Sequence, residues 1–182
     1  PETEILVDAI LNENLQGKTL LELGTGSGAI SISIAQENKD CFIFATDISI
    51  KSILVAKQNA AKFCSENIIF LNHDWNNEWL FPQVDYLISN PPYVDKEATS
   101  GKEEGIWHEP EIALFSKDKG LSDLKLILSK GKNFLNENGK VYLEHAPDQY
   151  EELNKFAMEN RYLNFSNLDD LNGDKRVSIY QC

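Results

Sequence analysis

The chain has 182 residues and a mass of 20.6 kDa, with 42% hydrophobic and 25% charged residues, close to ordinary globular composition, so one well-packed domain is expected. Seventeen basic side chains against twenty-nine acidic ones give a net charge of −12 and a pI near 4.6, which argues against a mainly electrostatic grip on nucleic acid. No apolar run approaches the roughly 18 residues of a membrane-spanning helix, and the N-terminal stretch lacks the basic-then-apolar order of a signal peptide, so a soluble, cytoplasmic protein with no membrane partner is expected. Cys41, Cys64 and Cys182 are too few and too scattered for a disulfide framework or a zinc site. His73, His108 and His145 have no ligand spacing either, and no metal is expected. The chain begins at Pro1 and its one methionine is Met158, as expected of a processed product or a piece of something longer.

Apolar periodicity switches repeatedly between helical and extended character, which predicts an α/β fold with a parallel sheet. Ile5, Leu6, Ala9 and Ile10 share one face of an opening helix, with Thr3 as its cap and Gly17 closing the segment. A strand over Thr19 to Leu23, a helix over Ala29 to Gln36 and a strand over Cys41 to Ala45 follow, with Asp47 just beyond. A Ser-capped helix spans Ser49 to Phe63, and strands span Asn67 to Leu71 and Val84 to Ser89. The stretch from Asp95 to Gly120 is charged and aperiodic, too long for a routine connection, and reads as a functional flap. A helix over Leu121 to Leu135, a strand over Lys140 to Glu144 and a helix over Tyr150 to Asn160 lead to two strands around Leu171-Asn172-Gly173-Asp174, a closing antiparallel hairpin.

Leu20 to Ala29 reads as a strand running into the glycine turn Gly24-Thr25-Gly26-Ser27-Gly28 and then a helix, a layout that lets backbone approach a ligand closely. Asp47 ends the next strand about 20 residues later, where a carboxylate can accept from both hydroxyls of an adenosine ribose. Loop and acid together imply a nucleoside-containing cofactor. Gly24-x-Gly26-x-x-Ala29 also satisfies the loose dinucleotide fingerprint. Glu22 before the turn and the Gly-x-Gly-x-Gly spacing favour S-adenosyl-L-methionine (SAM), and no hydride-transfer constellation follows downstream.

Ser89-Asn90-Pro91-Pro92-Tyr93 follows a strand on the same sheet edge. Its two prolines lack N–H donors and have fixed φ, so the turn is stiff and offers acceptors. A planar NH₂ group has two donors, which the Asn90 side-chain oxygen and the Pro91 carbonyl can hold while Tyr93 stacks on the plane. Held so, the nitrogen lone pair faces an incoming methyl. Trp75, beside Asp74, could wall an adenine pocket, with Asp74 accepting from the adenine amino group.

Taken together, these residues resemble the Rossmann-like, seven-stranded SAM-dependent methyltransferases of the Asn-Pro-Pro-Tyr type, and more closely the catalytic domain of the protein-(glutamine-N5) methyltransferases that modify class I peptide chain release factors. The likeness runs through Pro1 to Glu4, Leu23 to Ile30, Ala45 to Ser49, Ser89 to Tyr93, Glu109-Pro110 with Ala113-Leu114, Leu143-Glu144 and Asp174 to Val177. It implies a mostly parallel sheet with helices on both faces. It also implies that Gly24, Thr25, Gly26, Ser27 and Gly28 bind the methionine part of SAM, Asp47 the ribose and Trp75 the adenine region. Asn90, Pro91, Pro92 and Tyr93 would hold the substrate amide, with Asn90 also near the cofactor. The implied substrate is the glutamine of a Gly-Gly-Gln loop in a release factor, which makes the protein a modifier of translation termination. Relatives also carry a small N-terminal helical docking domain, which this chain is expected to lack. Trp107-His108 stands where relatives often have Arg-Phe, and Ala146 where a glycine is common. An amide and an exocyclic amine of adenine or cytosine present the same two donors, so a nucleic-acid N-methyltransferase is the alternative. The charge of −12 ranks it second and makes stable nucleic-acid binding unexpected. A non-catalytic SAM-binding module is a third reading.

Overall fold

The computed structural model describes residues 2–95, 115–116 and 120–182. Helix α1 (Glu2–Leu11) leads into β1 (Thr19–Leu23), α2 (Ala29–Glu37), β2 (Phe42–Asp47), α3 (Ile50–Lys62), β3 (Ile68–Asn72) and β4 (Val84–Ser89). Short strands β5 (Val94–Asp95) and β6 (Phe115–Ser116) pair in parallel as a separate two-stranded sheet. Then come α4 (Ser122–Gly131), β7 (Leu135–Glu144), α5 (Tyr150–Glu159), β8 (Asn164–Asp169) and β9 (Lys175–Gln181).

The main sheet has seven strands in the order β3-β2-β1-β4-β7-β9-β8. Strands β3 through β7 in that order run parallel, and β9 enters antiparallel between β7 and β8 as the predicted closing hairpin. Alternation along each strand sends side chains to opposite faces. Leu20, Tyr86, Ile88 and Tyr142 pack with Leu6 and Ile10 of α1 and Ile30 and Ile34 of α2. On the same side Ala45 and Phe70 meet Ile53, Ala56 and Ala60 of α3. Leu21, Leu23, Leu87, Val141 and Leu143 face the other way, onto Leu124, Ile127 and Leu128 of α4 and Leu153 and Ala157 of α5. A core on each face is what a parallel sheet requires.

Three sequence expectations change. Thr3 lies inside α1 rather than capping it, and its hydroxyl donates instead to Glu144 Oε2, 3.0 Å away. The helix predicted to reach Leu135 ends at Gly131, passes through a 3₁₀ turn over Lys132–Phe134, and leaves Leu135 in β7. Gly131 allows α4 to come down on the sheet, since a Cβ there would stand 3.1 Å from Leu87 Cδ1. Strand β7 therefore begins five residues before Lys140, through Asn136-Glu137-Asn138-Gly139, which reads as a turn because Asn138 has φ 63° and the register against β4 shifts there. The predicted flap falls outside the described residues except at Asp95, Phe115-Ser116 and Gly120, as do His108 and the Trp107 to Pro110 and Ala113-Leu114 positions.

Candidate active site

Strand order reverses between β1 and β4, which opens a crevice at the carboxyl ends of the parallel strands. Leu23 is in register with Thr46 on one side and Ser89 on the other, and Ser89 with Leu143. The residues that follow, Gly24, Asp47, Asn90 and Glu144, therefore stand along one edge. Ser89 Oγ donates to Leu23 O at 2.7 Å and ties the two central strand ends together.

The glycine turn is held from directly around it. Gly24 and Thr25 N–H groups donate to Thr46 O at 2.9 and 2.8 Å, and Gly26 N–H donates to Asp47 Oδ2 at 2.9 Å. Gly24, Gly26 and Gly28 all have positive φ, at 75°, 55° and 84°. A Cβ on Gly28 would press on Ile32 and Ala56 at 3.0 and 3.1 Å, so this glycine is also what lets α2 pack against α3. Beneath the turn Glu22 is 1% exposed and accepts from Thr25 Oγ1 at 2.7 Å and from Ser31 Oγ. Its Oε1 has no hydrogen-bond partner among the described residues. Burial pushes the Glu22 carboxyl above the ordinary carboxylate range, against the pull of those two hydroxyls.

Asp47 Oδ1 accepts from Ser49 N–H at 2.8 Å, so both carboxylate oxygens are fixed by backbone and each keeps acceptor capacity. Ser49 caps α3 as predicted, accepting from Ser52 N–H. Trp75 comes to the glycine turn: a Cβ on Gly24 would lie 3.2 Å from its Cζ3, and its indole N–H donates to Asp123 Oδ1 at 3.2 Å. The ammonium of Lys130 holds the Trp75 loop by donating to Trp75 O, Asn76 O and Asn77 O at 2.8–2.9 Å. Asp74 spends Oδ1 on its own turn, accepting from the Asn76 backbone and side chain at 2.9 and 2.8 Å. Trp79 is 4% exposed and belongs to the core.

Pro91 and Pro92 are buried and Asn90 half-buried at the end of β4. Asn90 Nδ2 donates to Thr3 Oγ1 at 3.3 Å, and Tyr93 OH donates to Glu144 Oε1 at 3.0 Å. Glu144, 2% exposed, thus receives both Thr3 and Tyr93. Gln149 Nε2 donates to Tyr93 O at 2.9 Å while its Oε1 accepts from Ala146 N–H. Gly120 packs so tightly here that a Cβ would fall 1.9 Å from Tyr93 O. Thr3, Glu144, Gln149 and Gly120 were not among the site residues expected from sequence, where Thr3 figured only as a helix cap. Their signal was only the recurrence of Thr3 and Glu144 in the family-like segments. His145, next in line, is buried with its ring nitrogens 2.7 Å from Ser178 Oγ and 2.8 Å from Ala146 O.

A sheet in this order, closed by an antiparallel hairpin and carrying a glycine turn and an acid on adjacent strand ends, defines the Rossmann-like class I SAM-dependent methyltransferases. A SAM-dependent O-methyltransferase from Thermotoga maritima superposes with a TM-score of 0.71 at 14% identity, covering 99% of this chain and 63% of that one. The chain belongs to the methyltransferase small domain family, which matches residues 1–109. It is 37% identical over 166 residues to a bifunctional methyltransferase of Rickettsia bellii, covering 90% of this chain and 30% of that protein. It is 32% identical over 180 residues to a release factor glutamine methyltransferase of Escherichia coli K12, covering 98% of this chain and 65% of that protein. The chain thus spans 30% of the length of the first of these curated relatives and 65% of the second. Membership of a methyltransferase family decides between a dinucleotide and SAM in favour of SAM, the methyl donor. No helix among the described residues is long and apolar enough to cross a membrane.

Proposed function

We propose that this domain transfers a methyl group from SAM to the side-chain amide nitrogen of the glutamine in a Gly-Gly-Gln loop of class I peptide chain release factors, in the cytoplasm. The observation that carries the reading is the rigid Asn90-Pro91-Pro92-Tyr93 turn beside the glycine turn, with Ser89 bonded to Leu23 between them. The likeness to the E. coli enzyme supports the substrate.

The residues present fit SAM. Gly26 has open space where a Cβ would stand and Gly24 has only the Trp75 ring, so backbone can come close to a ligand. Gly24 to Gly28 would hold the methionine part, Asp47 the ribose hydroxyls, and Trp75 the adenine, with Asp74 bracing the Trp75 loop. Glu22, buried beneath the turn, places its carboxyl under a segment that takes a cofactor of net positive charge. Bound SAM supplies an electrophilic methyl carbon on a sulfonium.

Asn90 and Pro91 act on the substrate. An amide nitrogen is a poor nucleophile because its lone pair is delocalised into the carbonyl. The Asn90 oxygen and the Pro91 carbonyl would each accept one N–H, so the nitrogen is oriented towards the methyl and the charge growing on it is stabilised. Two prolines remove competing donors and the cost of ordering the turn. Tyr93, fixed through its hydroxyl by Glu144, would stack on the flat amide. A cationic N-methylated amide is acidic enough to lose its proton to water, and no strong base is needed.

The net charge of −12 favours a protein over a nucleic acid. Incubation of the purified protein with radiolabelled SAM and unmodified release factor tests the reading. Label on the Gly-Gly-Gln glutamine is expected. Label on RNA or DNA instead, or SAM binding with no turnover on any of these, would overturn it.

A further inference from the structure

The Asn-Pro-Pro-Tyr turn can accept an amide only if Asn90 presents its oxygen, and an asparagine side chain can as easily present its NH₂. What decides between the two lies outside the turn. Glu144, at the end of β7, accepts at both of its carboxyl oxygens. It receives the Thr3 hydroxyl at Oε2 and the Tyr93 hydroxyl at Oε1, both at 3.0 Å. Thr3 has a single hydroxyl proton and commits it to Glu144. The lone pairs left on Thr3 Oγ1 can only accept, and they accept from Asn90 Nδ2 at 3.3 Å. The nitrogen end of Asn90 is thereby taken, and the oxygen end is left for the substrate.

We infer that Glu144, acting through Thr3, is the positioning residue that fixes the polarity of the Asn90 amide, and that it holds Tyr93 in place with its other oxygen. The inference rests on the methyl-transfer reading above and deepens it. Reversed, with Thr3 donating to Asn90 Oδ1, the site would show an NH₂ to the substrate's NH₂, and two donors would face one another. The chain buries Glu144 at 2% exposure and brings it Thr3 from 141 residues away and Tyr93 from 51. Tethering α1 to β7 would need neither acceptance at both Glu144 oxygens nor a partner in the turn.

Three variants separate polarity from simple tethering: Glu144→Gln, which keeps shape but can donate; Thr3→Val, which keeps shape and loses the hydroxyl; and Thr3→Ser, which keeps the hydroxyl. With a Gly-Gly-Gln substrate, Glu144→Gln and Thr3→Val are expected to lower kcat by about 10- to 100-fold, with SAM affinity and Tm near wild type. Thr3→Ser is expected to recover most of the rate. In an Asn90→Ala background, Thr3→Val should cost nothing further, because its effect passes through Asn90. Full kcat in Thr3→Val, or losses that add independently to those of Asn90→Ala, would overturn the inference. If wild-type protein methylates a nucleobase amine instead, the substrate reading fails. The relay is then judged by the same variant ratios on that amine, which presents the same two donors.

Discussion

The glycine turn and the Asn-Pro-Pro-Tyr turn sit at neighbouring strand ends and are held in opposite ways. The first is stabilised by what surrounds it in the chain: Thr25 and Ser31 bond to Glu22 three and nine residues away, and Gly26 to Asp47 at 21. The second is held by Thr3, Glu144 and Gln149, which stand 87, 51 and 56 residues from their partners in the turn. A cofactor shared by a whole class of enzymes can be gripped by one local βαβ unit. The Asn-Pro-Pro-Tyr turn, which we propose holds the substrate, takes its orientation from the rest of the domain and so depends on the closing of the whole sheet.

The sharpest way to break this contrast is to strip each turn of its working group. Asn90→Ala should cost about 10²- to 10³-fold in turnover while SAM affinity, read by calorimetry, barely moves. Parallel loss of both would place Asn90 mainly with the cofactor. Asp47→Ala should do the reverse, weakening SAM binding by about 10- to 100-fold, in line with the roughly 1.5–3 kcal/mol of hydrogen bonds to a charged group. Rates at saturating SAM should then recover.

Smaller effects follow from the buried ionisable groups. Glu22 is held above the ordinary carboxylate range by burial, so the folded state binds its proton more tightly than the unfolded chain does. Stability that this group withholds at neutral pH returns as pH falls through its raised value. Glu22→Gln should therefore be more stable at pH 7 by about 1 kcal/mol, or about 2–4 °C in Tm, with the difference shrinking on acidification and SAM affinity reduced. His145 has the opposite sign. Burial, aided by Arg176, holds its imidazole below its ordinary value, so its contribution is present above about pH 6.5 and is lost as pH falls towards the lower folded value. Replacing it by Asn should flatten a fall in Tm on the order of 2 °C between pH 7 and 5.5.

The same contrast explains what could be read beforehand. The glycine turn, Asp47, the Ser49 cap and the ends of β1 and β4 are written in local patterns, and the structure has β1 and β4 at the predicted bounds. The hairpin too is local, set by Leu171 to Asp174. Thr3 reads as a helix cap because capping is what a threonine near a helix start usually does, and nothing nearby announces a carboxylate 141 residues away. The early start of β7 is hidden by a bulge composed like a turn. Lys130, which clasps three carbonyls of the Trp75 loop, looks in sequence like one more charge on an amphipathic helix. Contacts made across the sheet edge leave no periodicity to detect.

The most direct test of the central claim, that the turn presents an amide nitrogen to the methyl, is to identify the atom that receives it. A release factor carrying ¹⁵N at the side-chain amide of the Gly-Gly-Gln glutamine, methylated with ¹³C-methyl SAM, should give a product in which the new carbon is coupled to that nitrogen. A methyl found on oxygen, on a backbone nitrogen or on a nucleobase would contradict the account.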